Sequence, residues 1–249
     1  MHQYEDGPAI PENYTYLPGE IVHFSVQIAN YKAAKDHQVR LSYRIDALDP
    51  AGVKIVETES GVIDTDVSRE DKNWMPKLRH MVPLPPLADT GEYQLVVMVT
   101  DEIAKTKAEG SYTLSIKGRD VEPSETLVVR NFRFLRSEED RNPLRTPTYR
   151  PGDAVWARFE ITGYRFGERN RFAVDYGLAI LRPDGKVLYS EEKAAEETDE
   201  SFYPKRYVSG VLNLMTRPDT GLGEYTLVVT VRDSIGNQTH ESRYEFRVE

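Results

Sequence analysis

The sequence predicts an all-β protein made of two tandem antiparallel sandwiches of about seven strands each. Three observations carry that expectation: apolar and polar residues alternate with a period of two in segment after segment, the chain repeats itself, and Pro and Gly turn residues separate the alternating segments. At 249 residues, with 39% hydrophobic and 29% charged residues, the chain is long enough for two cores and too apolar to be wholly disordered. The boundaries expected are residues 1–118 for the first sandwich, 119–125 for a short linker and 126–249 for the second.

The repeat sets the order of elements. "YLPGEIVHFSVQIANY" from residue 16 aligns with "YRPGDAVWARFEITGY" from residue 149, and the register holds without a gap to Gly52 and Gly185, with 10 of 37 positions identical. "GEYQLVVMVTDEI" from residue 91 aligns with "GEYTLVVTVRDSI" from residue 223 and runs on to Lys117 and Glu249, with 11 of 27 identical. In the first block Val22, Phe24, Val26 and Ile28 are expected to face inward, as are Val155, Ala157, Phe159 and Ile161 in the second copy. The large ring moves by one inward position, from Phe24 to Phe159, which conserves the volume filling that part of the core.

Val39, Leu41, Tyr43 and Ile45, matched by Phe172, Val174, Tyr176, Leu178 and Ile180, form the next strand. A Pro-x-Gly turn closes each, at Pro50/Gly52 and Pro183/Gly185, where Pro presets φ and Gly accepts a positive one, so a hairpin follows. The last two strands carry Tyr93, Leu95, Val97, Val99 and Tyr112, Leu114, Ile116, matched by Tyr225, Leu227, Val229, Val231 and Tyr244, Phe246, Val248; "DSIGNQ" supplies a Gly-Asn turn between them.

"DTGEY" at 89–93 and "DTGLGEY" at 219–225 resemble the D-x-G-x-Y motif that enters strand F of immunoglobulin-like domains. The resemblance implies that Tyr93 and Tyr225 make tyrosine corners, each hydroxyl bonding back to the main chain. Leu95 and Leu227 stand where that family often has Cys, and Tyr43 and Tyr176 take the place of its strand C Trp. A core held by apolar packing without a disulfide is therefore expected, as in fibronectin type III-like and many bacterial Ig-like domains. The Y-x-P-G-[DE] opening is similar to that of macroglobulin-type domains. All of this specifies a fold superfamily and no activity.

Before Tyr149 the second copy has a strand-like segment, "TLVVRNFRFL" at 126–135, whose projection onto the first copy falls mostly before residue 1. Strand A of the first copy is then lost, replaced by "AIPENYTY", or carried on a longer chain; truncation or signal removal is the expectation. An open edge in the first sandwich is a candidate acceptor for a partner's strand. The linker "GRDVEPSE" is short and polar, which suits a semi-rigid connection.

The chain has no G-x-S-x-G, Walker A, H-E-x-x-H or G-x-G-x-x-G signature, and no Cys to serve as nucleophile or metal ligand. His2, His23, His37, His80 and His240 are scattered and do not recur between copies. "DTDVSRED" at 64–71 and "EEKAAEETDE" at 191–200 fall in equivalent connections and are expected to be solvated acidic loops, with calcium as the alternative; their spacing matches no EF-hand. Asp101 and Asp233 recur at one turn and are expected to serve it. "WMPK" at 74–77 and "FYPK" at 202–205 make Trp74, Phe202 and Tyr203 the candidate binding aromatics, since exposed rings stack on sugars or anchor partners.

A net charge of -9 disfavours nucleic acid as a partner, and no apolar run is long enough to span a membrane. The expectation is a non-enzymatic spacer or protein-interaction segment of an extracytoplasmic protein, with no cofactor and no metal. The alternative is a carbohydrate-binding accessory module.

Overall fold

The structure, a computed structural model, describes every residue except Glu12, Arg69 and Lys72. The chain is all-β, as expected: among the described residues there is no α-helix, and the one helical turn is a 3-10 turn at Glu168–Asn170. Two compact units divide at Met1–Asp120 and Val121–Glu249.

Unit 1 holds β1 (Thr15–Tyr16), β2 (Ile21–Gln27), β3 (Gln38–Leu48), β4 (Glu59–Asp66), β5 (Lys77–Pro83), β6 (Gly91–Asp101) and β7 (Thr106–Ile116). One sheet runs β1-β7-β6-β3-β4; the other is the antiparallel pair β2-β5. Unit 2 holds β8 (Val128–Leu135), β9 (Thr148–Tyr149), β10 (Ala154–Thr162), β11 (Phe172–Leu181), β12 (Val187–Asp199), β13 (Tyr207–Met215), β14 (Gly223–Asp233) and β15 (Gln238–Val248). Its sheets run β12-β11-β14-β15-β9 and β13-β10-β8, so the smaller sheet has one strand more than its counterpart.

The period-two pattern explains the burial. Val155, Phe159 and Ile161 of β10 meet Val174 and Ile180 of β11 and Leu227, Val229 and Val231 of β14 in one core between the two sheets of unit 2. In unit 1 Val22, Leu41, Leu95 and Val82 are at most 1% exposed. The displaced ring has its complement across the strand pair. Phe159 lies opposite Gly210, where an added Cβ would sit 2.3 Å from the ring, whereas Val26 lies opposite Leu78.

The turns follow the same chemistry. Gly52 and Gly185 both take φ of +79°, and the hairpins β3–β4 and β11–β12 follow. "EEKAAEETDE", expected to be a loop, lies almost wholly within β12, with Lys193 on Glu196 and Lys205 bridging Glu197 and Asp199. Its charged side chains sit on an edge strand whose two faces are both largely wet, so no apolar alternation marks it. "DTDVSRED" begins inside β4, and its Arg69 lies outside the described residues.

"AIPENYTY" does not rebuild strand A. Its end, Thr15–Tyr16, pairs parallel with β7 as Thr148–Tyr149 pairs with β15, while Glu12 lies outside the described residues. Among the described residues, the main chain of β2 is met on its free side by one bridge, His2 to His23, at the place where Leu135 of β8 meets Trp156 of β10.

Candidate functional site

The repeated polar residues are consumed by the scaffold. Asp101, 6% exposed, accepts from the main-chain N–H of Lys32 at 2.7 Å and from those of Ile103 and Ala104 at 2.8 Å. Asp233, 1% exposed, does the same for Arg165, Ile235 and Gly236. Each carboxylate thus ties the chain after β2 or β10 to the turn before β7 or β15. Burial alone raises the pKa of Asp101, but the three amides outweigh it and hold the group below the ordinary carboxylate value.

The hydroxyls of Tyr93 and Tyr225 donate to the carbonyl oxygens of Asp89 (3.2 Å) and Gly221 (2.8 Å), four residues back in each copy. Tyr176 bridges the sheets of unit 2: its hydroxyl donates to Val211 O at 3.2 Å and accepts from Val211 N–H at 3.1 Å. Glu160, 2% exposed, faces the Arg133 guanidinium at 3.3 Å, so this arginine is paired inside the unit.

The three candidate aromatics are not equivalent. Tyr203, at 9% exposure, turns inward and offers no platform, whereas Phe202 is 49% exposed. Trp74 is half-buried and meets Tyr31 edge-on at 6.1 Å; the Tyr31 hydroxyl donates to the Trp74 carbonyl. That pair lines an open cavity of about 900 Å³ with His37, Asp71 and Met75. Which ring of each aromatic-Pro-Lys unit faces outward is a distinction that spacing alone does not carry.

Folding brings together three of the histidines that looked scattered. His2, His23 and His80 line a cavity of about 500 Å³ on the β2–β5 sheet. His2 is already engaged on both ring nitrogens, with Gly7 O at 3.0 Å and Ser25 Oγ at 2.9 Å. Among the described residues, no group of three or more His, Cys, Asp or Glu is arranged to hold a metal ion.

The N-terminal loop rests on the outer face of this sheet. Asp6 contacts Lys77 at 2.6 Å and Arg79 at 2.8 Å, and these cations lower its pKa to about 2, the Arg79 hydrogen bond being the largest cause. Beyond the His2–His23 bridge, the main chain of Ser25 and Gln27 has no strand beside it among the described residues. Hydrogen bonds from Leu84 N to Glu20 O and from Ile28 N to Pro76 O set the alternation of the β2–β5 ladder, so Val22, Phe24 and Val26 bond toward β5 and Ser25 and Gln27 point their N–H and C=O away from it.

No family model matches the chain, and no curated protein does. Solved structures similar to it include the C-terminal domain of the antigen I/II polypeptide BspA of Streptococcus agalactiae, at 10% identity and TM-score 0.31, with 94% of each chain covered. The C-terminal domain of the antigen I/II-family protein AspA of Streptococcus pyogenes is similar at 11% identity and TM-score 0.32, again over 94% of each chain. Likeness at this level assigns neither an activity nor a partner. Among the described residues no helix is long and apolar enough to cross a membrane.

Proposed function

We propose that the chain is a non-enzymatic interaction module of an extracytoplasmic protein, and that it binds protein through the open edge of unit 1. The observation that carries this reading is the pair of unmatched main-chain positions, Ser25 and Gln27, at the edge of a two-stranded sheet whose counterpart in unit 2 is closed by β8. An unpaired row of N–H and C=O groups is a template for another strand. The structural use of Asp101, Asp233 and Glu160 agrees with it, because the buried carboxylates are committed to amides or to an arginine. The second reading, polysaccharide binding, is favoured by the exposed ring of Phe202 and by the Trp74–Tyr31 pair over an open cavity.

Affinity capture with the full chain as bait, from envelope and secreted fractions, separates the two readings. A protein retained by the unaltered chain and lost with Gln27→Pro supports the edge. Glycan retained by the unaltered chain and lost with Trp74→Ala or Phe202→Ala supports the second reading. Identical retention by all four chains contradicts both.

A further inference from the structure

Resting on that interaction reading, we propose that the edge of β2 takes an extended polypeptide strand running antiparallel to it, which gives a main-chain carbonyl to Tyr16 and lays an aromatic side chain over Val26 and Tyr112. The repeat supplies the comparison for each contact.

In unit 2 the Tyr149 hydroxyl donates to the carbonyl oxygen of Leu135 in β8 at 3.0 Å. The matching Tyr16 is 5% exposed, and its hydroxyl is buried without a hydrogen-bond partner among the described residues. A buried donor left unmade costs free energy, so this hydroxyl marks a missing acceptor. Burial also pushes its pKa up to about 12, which keeps it protonated and able to donate.

Tyr244 of unit 2 stacks on Phe132 of β8 with ring centroids 3.4 Å apart, and Phe132 also stacks on Phe159 at 6.1 Å. Their counterparts in unit 1 are Tyr112, 43% exposed, and Val26, half-buried where Phe159 is fully buried. The apolar floor is present, and among the described residues no aromatic ring is shown stacked on Tyr112 as Phe132 stacks on Tyr244.

The register follows from unit 2, where Trp156, Arg158, Glu160 and Thr162 meet Leu135, Arg133, Arg130 and Val128. Translated to unit 1, the strand pairs with His23, Ser25 and Gln27 and displaces the single His2–His23 bridge. Gln27 stands where unit 2 has the buried Glu160, so the occupant needs no arginine there. Its chemistry is set by the inward side: alternating aliphatic and aromatic residues, two of them taking the parts of Phe132 and Phe134, which meet edge-on at 5.0 Å in β8.

The probe is a synthetic peptide, TLVVRNFRFL, copied from residues 126–135 and added to the full chain. The amides of Ser25 and Gln27 are expected to exchange more slowly in its presence, while those of Arg158 and Glu160 stay unchanged. Replacing both Phe of the peptide by Ala is expected to weaken binding by about tenfold or more, from lost ring contacts. Tyr16→Phe in the chain is expected to weaken it by about fivefold, one net hydrogen bond. Gln27→Pro removes a donor that points away from β5, so it is expected to abolish edge protection with the β2–β5 ladder intact.

No slowing at Ser25 and Gln27 at any peptide concentration overturns the proposal, as does equal binding of the Ala peptide. Slowing confined to β10 means the peptide replaces β8 in unit 2 and also overturns it. A dimer that protects the edge without peptide assigns the site to a second copy instead. If capture finds a protein lost with Gln27→Pro while the peptide fails, the interaction reading stands and the strand chemistry proposed here falls.

Discussion

At the scale of single residues, the chain uses polar groups to pin turns, and each use has a measurable cost. Tyr225→Phe removes the hydroxyl that holds Gly221 O at 2.8 Å, and chemical denaturation is expected to show a loss of about 1 kcal/mol in unit 2. Asp233→Ala strips three main-chain N–H groups of their acceptor in a site only 1% exposed, with an expected loss of about 2–4 kcal/mol. Acid tests Asp6 separately. Its pKa is lowered from 3.8 to about 2 by Arg79 and Lys77, so its contribution is present above 3.8 and is lost as pH falls through 2. Hydrogen exchange in residues 1–10 is therefore expected to rise across that window, and Asp6→Asn is expected to show the fast exchange already at neutral pH. Exchange in Asp6→Asn that matches the unaltered chain at pH 7 contradicts this pinning.

At the scale of elements, the two copies solve one packing problem in two ways. Phe159 needs Gly210 opposite it, and Gly210→Ala would bring a methyl to 2.3 Å of the ring, with an expected cost of about 1–3 kcal/mol. The pairing in unit 1 is Val26 with Leu78, so the double change Phe159→Val with Gly210→Leu is expected to be more stable than the sum of the single changes predicts. Additive losses in that double-mutant cycle count against the compensation. Alternation made β2, β3 and β6 legible in the sequence because each has one wet and one dry face, and it marks β7 only at its end, where Leu114 and Ile116 are buried. The Pro183/Gly185 turn announced a strand after it, but the length of β12 was illegible for the converse reason: Glu191, Glu192 and Lys193 on an edge strand carry no burial signal. The inward turn of Tyr203 beside the exposed Phe202 likewise depends on packing that a dipeptide does not announce.

At the scale of the whole molecule, each unit has its own buried residues, and a core lesion is expected to stay local. Phe159→Ala is expected to lower the opening free energy of unit 2 by about 3–5 kcal/mol while exchange at Leu41 and Val97 of unit 1 is unaltered. The sequence alignment of the two blocks matches Tyr16 with Tyr149 and Tyr112 with Tyr244. What it left unread is the consequence: a buried Tyr16 hydroxyl and an exposed Tyr112 ring appear only when the two sheets close around the gap. Among the described residues the two units differ in one strand, β8, which leaves the edge of β2 unpaired at Ser25 and Gln27. Residue-resolved hydrogen exchange of the full chain at neutral pH tests it most directly. Fast exchange at Ser25 and Gln27 beside strong protection at Arg158 and Glu160 is the result predicted, because β8 closes the second pair alone. Equal protection at all four amides would contradict it.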